Sequence, residues 1–103
     1  MNNTTLDLHH LNGKGNPVNE QDVWLAVDRF IVKIKLQNTR QIQSGLCVKI
    51  NIIVGKGLQS KNLINGKNPL RYFTENYLNL CGYNYKDGDY FTGQNGTIIA
   101  SII

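Results

Sequence analysis

A nearly continuous apolar run organises the middle of this chain: Leu46-Cys47-Val48-Lys49-Ile50-Asn51-Ile52-Ile53-Val54, followed directly by Gly55-Lys56-Gly57. Lys49 and Asn51 are its two polar interruptions, and β-branched residues make up most of the rest, which is typical of a strand. Because the run is so apolar, we expect a central strand of a sheet that is covered on both faces.

A shorter extended segment, Thr5-Leu6-Asp7-Leu8-His9, lies near the start of the chain. Its polar and apolar residues alternate, so that Leu6 and Leu8 belong to one face of a strand, and Asp7 and His9 to the other. If this segment and residues 46–54 are neighbouring parallel strands, both end at the same edge of the sheet. Open α/β sheets bind their ligands at that edge.

The segment between the two strands has the pattern of an amphipathic helix of about five turns. Asn19 is suited to cap its first turn, with Asp22 three residues later, and the helix is expected to end between Gln37 and Arg40. Residues 41–45 then form a connector. The expected buried positions follow the helical period: Val23, Val27, Phe30, Ile31 and Ile34.

A second helix is predicted to open at Asn68-Pro69, where the asparagine caps and the proline takes the first helical position. Gly82 supplies the left-handed residue that ends it. Its buried stripe is predicted to be Leu70, Phe73, Tyr77 and Leu80. After it we expect a short strand at 83–85, a turn at Asp87-Gly88, an extension or hairpin return at 90–92, a turn at 93–96 and a final strand at 97–103.

The resulting order, βαβαββ, predicts an α/β fold of the two-layer α+β kind, with a mixed four-stranded sheet and two helices. With 103 residues, of which 41% are hydrophobic, residues 1–103 are expected to form a single domain. Cys47 and Cys81 fall within predicted core segments, so both are expected to be buried thiols. A disulfide between them is the alternative.

The charge balance favours a polyanionic partner, since eleven Lys and Arg against seven Asp and Glu give a net charge of +4. No segment has the character of a membrane span, and residues 5–8 already form a predicted strand rather than a signal peptide. These features, with reduced cysteines, predict a cytoplasmic protein without a membrane partner. No His or Cys cluster has the spacing of metal ligands, so neither a metal nor a cofactor is expected.

Residues that can carry acid–base and phosphate chemistry follow the two predicted strands. Asp7 can orient or charge-stabilise the imidazole of His9, and such a pair can take up and deliver protons near neutral pH. The alternative is a histidine satisfied by a backbone carbonyl. In Gly55-Lys56-Gly57 the glycine N–H groups can form an anion-binding nest to which Lys56 adds a charge. The alternative there is an ordinary turn.

This glycine loop differs from two common phosphate-binding motifs. Gly57 is followed by Leu58-Gln59, which excludes the nucleoside-triphosphate loop, and the next helix begins near Asn68, which excludes the dinucleotide fingerprint. Polar side chains in and after the loop can still contact phosphates or base edges. The candidate nucleic-acid-binding residues are Gly55, Gly57, Gln59, Ser60, Lys61 and Arg71.

Three motifs in this order resemble the Smr domain, the small MutS-related module: Leu6-Asp7-Leu8-His9, Gly55-Lys56-Gly57 continuing to Ser60, and the turn Gly93–Gly96 before Thr97-Ile98-Ile99. They span nearly the whole chain, and Leu70-Arg71 also fits. The resemblance implies a fold like the C-terminal domain of bacterial translation initiation factor three. It also implies nucleic-acid binding and endonuclease activity on RNA or DNA, for some members on ribosomes, with Asp7, His9 and Lys56 as catalytic residues.

Two positions depart from the family pattern. His10 stands where the family usually has Gly, and Gln59, which cannot titrate, stands where it commonly has His. We expect an endonuclease that works by metal-independent acid–base chemistry. The alternative is a non-catalytic module of a longer protein that binds nucleic acid or the ribosome, and a protein-interaction domain is a third interpretation.

Overall fold

The computed structural model describes residues 4–8, 11, 18–55, 64, 66, 68–87 and 96–102. These residues form, in chain order, β1 (Thr5–Asp7), α1 (Glu20–Gln37), α2 (Thr39–Gln43), β2 (Val48–Ile53), α3 (Pro69–Cys81), β3 (Asn84–Asp87) and β4 (Thr97–Ile102). The predicted order βαβαββ is confirmed, with the short helix α2 added where a connector was expected. The strand predicted at 83–85 lies at Asn84–Asp87, so Asp87, which was predicted to begin a turn, is the last residue of β3. Residues 88–95, where the rest of that turn, the extension or hairpin return and most of the next turn were predicted, lie outside the described residues.

The four strands form one mixed sheet in the order β1-β2-β4-β3. β1 pairs with β2 in parallel, and β4 pairs with both β2 and β3 in antiparallel fashion. The α+β class with a mixed four-stranded sheet is therefore confirmed.

The core lies between one face of this sheet and helices α1 and α3. Alternate residues of the central strands are fully buried there: Ile50 and Ile52 from β2, and Ile98, Ala100 and Ile102 from β4. α1 contributes Val23, Val27, Ile31 and Ile34, as the helical period predicted, while Phe30 is half-buried.

Among the described residues, no helix packs against the other face of the sheet, so the prediction that β2 is covered on both faces is wrong for this part of the chain. On that face Lys49 is exposed, and Asn51 and Ile53 are half-buried. The helices pack against one side, and β2 therefore has the alternating pattern of a half-buried strand. We call this side, formed by alternate residues of all four strands, the open face.

The ends of the helices follow local sequence signals. The Asn19 side chain accepts a hydrogen bond from the N–H of Gln21 at 2.8 Å, which confirms the predicted cap of α1. Gly82 ends α3 in the left-handed conformation at φ 78°, also as predicted. At Asn38 the backbone leaves helical geometry, and the chain then makes one further helical turn as α2 before β2 begins.

The buried stripe of α3 differs from the prediction at its C-terminal end. Leu80 is 72% exposed, whereas Thr74 and Leu78 are fully buried against the sheet. Phe73 and Tyr77 are half-buried, and Tyr77 lies towards α1, where the Trp24 ring meets its ring edge-on at 5.8 Å. Leu80 lies on the opposite side of the helix from Leu78 and therefore faces away from the core.

Both cysteines are exposed free thiols, so the predictions of burial and of a Cys47–Cys81 disulfide are wrong. β2 begins at Val48, two residues later than expected, which leaves Leu46 and Cys47 before the sheet. Cys81 is the last residue of α3, beyond the part of the helix that packs. None of the helices among the described residues combines the length and the apolar character needed to cross a membrane.

Candidate functional site

The two strands that carry the site motifs are neighbours. β1 and β2 run parallel, Asp7 lies opposite Ile53, and the N–H of Leu8 donates to the Ile53 carbonyl at 2.9 Å. The predicted pairing is therefore confirmed. Since parallel strands end at the same edge, the chain leaves both strands at one edge of the sheet.

Asp7 lies on the open face at this edge and is exposed, while Leu6 and Leu8 point towards the core, as the alternation predicted. The neighbours of Asp7 along the row across the sheet are Ile53 of β2 and Thr97 of β4. Asp7 is thus an exposed residue at the edge where both strands end.

The backbone at the end of β2 is hydrogen-bonded to Gly96, the residue before β4. Gly55 has φ 76°, a conformation that favours glycine, and its N–H donates to the Gly96 carbonyl at 3.1 Å. The N–H of Val54 donates to the same carbonyl at 2.9 Å. The predicted role of the Gly55 N–H in an anion nest is therefore not supported, because that N–H already has a partner inside the fold.

Asn68 links the end of β2 to the start of α3. Its side-chain oxygen accepts from the Arg71 N–H at 2.9 Å, which is the predicted helix cap. Its side-chain nitrogen donates to the Gly55 carbonyl at 2.9 Å and lies 3.4 Å from the Val54 carbonyl. The sequence indicated the cap but carried no signal for the second contact, which joins residues far apart in the chain.

Arg71 lies inside the fold rather than on a binding surface. It is 8% exposed, and its guanidinium contacts Glu75 at 3.1 Å, Asp87 at 2.7 Å and the Thr97 carbonyl at 3.4 Å. A buried charge needs such partners, and together they join α3 to β3 and β4. The predicted nucleic-acid contact of Arg71 is not supported by this placement. The four-residue spacing of Arg71 and Glu75 was the available signal for an ion pair.

The remaining candidate residues lie outside the described part of the chain: His9, Lys56, Gly57, Gln59, Ser60 and Lys61. The structure therefore brings Asp7 and Gly55 to a common edge and assigns Arg71 an internal role. Within the described ranges, no group of three or more His, Cys, Asp or Glu side chains could hold a metal ion.

Comparisons with known proteins give no further identification. No family model, no curated protein and no solved structure matches this chain. The resemblance to Smr domains therefore depends on the three sequence motifs.

Proposed function

We propose that this chain is a nucleic-acid-binding domain, similar to Smr domains, that cleaves phosphodiester bonds of RNA or nicks DNA by acid–base chemistry. The observation that supports the proposal most strongly is the parallel pairing of β1 with β2, with Asp7 opposite Ile53. His9 comes two residues after Asp7, and Lys56 directly follows Gly55. The proposal is that these side chains act together at the edge where both strands end.

Each proposed catalytic residue has a distinct task. His9, oriented by Asp7, transfers protons to and from the attacking and leaving oxygens. Lys56 and the Gly57 N–H stabilise the negative charge that develops on the phosphorus-bound oxygens. On RNA the 2′-hydroxyl attacks the neighbouring phosphorus, the bond to the 5′-oxygen breaks, and that oxygen takes up a proton. The products are a cyclic phosphate and a 5′-hydroxyl.

The proposal is tested by incubating the protein with labelled single-stranded RNA, duplex DNA and branched DNA in the presence of a chelator. We expect cleavage to persist in the chelator and to yield the cyclic phosphate when RNA is cut. His9→Ala, Asp7→Asn and Lys56→Ala are each expected to slow cleavage by roughly 100-fold or more, as for other acid–base and charge-stabilising groups.

The neighbouring histidine provides a matched control for His9. His10→Ala removes an imidazole one position away, where strand alternation gives no alignment with Asp7. It is expected to leave the cleavage rate within about twofold of the unmodified protein. Equal cleavage by the His9→Ala variant and the unmodified protein would refute the proposed role of His9.

A second candidate function is nucleic-acid or ribosome binding without cleavage, as one module of a longer protein. Gln59 favours it, because the Smr pattern commonly has a titratable His at that position. In that case RNA stays intact, while binding weakens steeply with salt. Failure to bind any nucleic acid at low salt would rule out both candidates and favour a protein-interaction domain.

A further inference from the structure

The open face of the sheet carries a groove that the site motifs do not use. Its volume is about 190 Å³. The groove lies across β2, β4 and β3, on the side of the sheet away from the helices. It is lined by Lys49, Asn84, Tyr85, Lys86, Ile99 and Ser101.

The strand register fixes the arrangement of the polar groups around this groove. Lys49 and Asn84 both lie opposite Ser101, and Lys86 lies opposite Ile99. The two lysines therefore flank β4 on either side, with Cα atoms about 12 Å apart as judged from ordinary strand spacings. Ile99 provides an apolar floor between them, while Asn84 and Ser101 offer hydrogen-bonding groups beside them.

The charge of this region is positive. Lys49 and Lys86 are both exposed. Of the open-face residues that the structure describes, Asp7 carries the one carboxylate, and it lies at the opposite end of β2 from Lys49. Asp87 follows Lys86 in β3, but it belongs to the row of Ile98 on the other side of the sheet and is paired with Arg71. A ligand over the groove thus meets two ammonium groups on the open face, and the one carboxylate described there lies at the far end of β2, which favours a polyanion.

The size of the groove favours a chain over a small molecule. Pockets that enclose small ligands usually measure about 300–1,000 Å³, so a groove of about 190 Å³ holds only a short part of a longer ligand. Lys49 and Ile53 are four residues apart on β2, which places the groove about 13 Å along the strand from the edge that carries Asp7.

We propose that the open face binds single-stranded RNA. Lys49 and Lys86 contact successive parts of its phosphate backbone, and Asn84 and Ser101 hydrogen-bond to its 2′-hydroxyls. This inference rests on the proposed function, because it supplies the path by which the RNA reaches the edge at Asp7. It adds a binding surface that the site motifs do not include.

The double variant Lys49→Gln/Lys86→Gln tests this surface. Its affinity for a fluorescein-labelled single-stranded polyuridine is measured by fluorescence anisotropy across a salt series, beside the unmodified protein. Each lysine–phosphate contact on a single strand contributes about 0.7 to the slope of log affinity against log salt. We expect affinity to fall by roughly tenfold and the slope to decrease by about 1.4.

Arg29→Gln/Lys33→Gln is the matched control, since it removes the same charge from exposed positions of α1, on the helical side of the molecule. It is expected to leave the slope unchanged. An unchanged slope in the Lys49/Lys86 variant, or an equal loss in both variants, would refute the open-face assignment and leave the proposed function standing.

A second arm compares RNA with DNA of the same sequence. Equal dependence of both ligands on Lys49 and Lys86 would contradict the assignment to RNA. If the unmodified protein binds neither RNA nor DNA at low salt, the proposed function fails, and the open-face assignment fails with it.

Discussion

At the scale of single residues, Thr74 places a hydroxyl group in the apolar core. It is fully buried on the sheet side of α3, and its hydroxyl has no hydrogen-bond partner within the described part of the chain. Such a group costs about 1–3 kcal/mol, and valine has the same shape without the hydroxyl. We expect Thr74→Val to raise the free energy of unfolding by about 1 kcal/mol in urea denaturation.

Thr74→Ser is the complementary variant, because it keeps the hydroxyl and removes the methyl group. It is expected to lower the free energy of unfolding, because the buried hydroxyl remains and the missing methyl group leaves a small cavity. A Thr74→Val protein less stable than the unmodified one would show that the hydroxyl contributes favourably in solution.

At the scale of elements, α1 and α3 are joined by a polar contact at the margin of their apolar interface. The Tyr77 hydroxyl donates to the Asp28 carboxylate at 2.6 Å. Burial, followed by this hydrogen bond, raises the pKa of Tyr77 far above its usual value of 10.0. The folded state therefore holds the phenolic proton at pH values where the unfolded chain releases it.

The sign of the resulting pH dependence follows from linkage. A raised pKa in the folded state contributes stability that is fully present below pH 10.0 and is lost as the pH rises above that value. We expect the unfolding free energy of the unmodified protein to fall more steeply above pH 10.0 than that of Tyr77→Phe. Urea denaturation at several alkaline pH values measures this difference. Tyr72→Phe removes a phenol from the same helix and should retain the steep fall.

At the scale of the whole molecule, local signals predicted the elements but not the number of layers. Asn19 and Asn68 mark helix starts through their side-chain oxygens, and Gly82 marks a helix end through its left-handed backbone, so the sequence located those ends correctly. The apolar run at 46–54 does not reveal whether a second layer covers it, and no helix among the described residues packs on that face. The spacing of apolar residues along the sequence predicts the type of a single element. Whether a second layer covers a sheet depends on how the elements pack together, which that spacing does not report.

The candidate site likewise combines features that the local sequence predicted with contacts that it did not predict. Alternation in β1 correctly placed Asp7 on one face and Leu8 on the other, and the parallel pairing of β1 with β2 followed from the element order. The partners of Arg71 outside its own helix, and the partner of the Gly55 N–H, come from β3, β4 and the residue before β4. No local pattern reports such contacts, since they form only when distant segments meet.

Asn68 connects the stability of the fold to the proposed activity, and its helix cap can be separated from its contact with the Gly55 carbonyl. Asn68→Ser keeps a helix-capping oxygen but loses the donor to the Gly55 carbonyl, whereas Asn68→Ala loses both. We expect the alanine variant to be less stable than the serine variant by about 1 kcal/mol in urea denaturation. Cleavage of RNA should fall to a similar extent in both, because both release the backbone that precedes Lys56. The same pair of changes at Asn19, which caps α1, should reproduce the stability difference without the loss of activity. Full activity in Asn68→Ser would mean that the contact with Gly55 supports the fold alone.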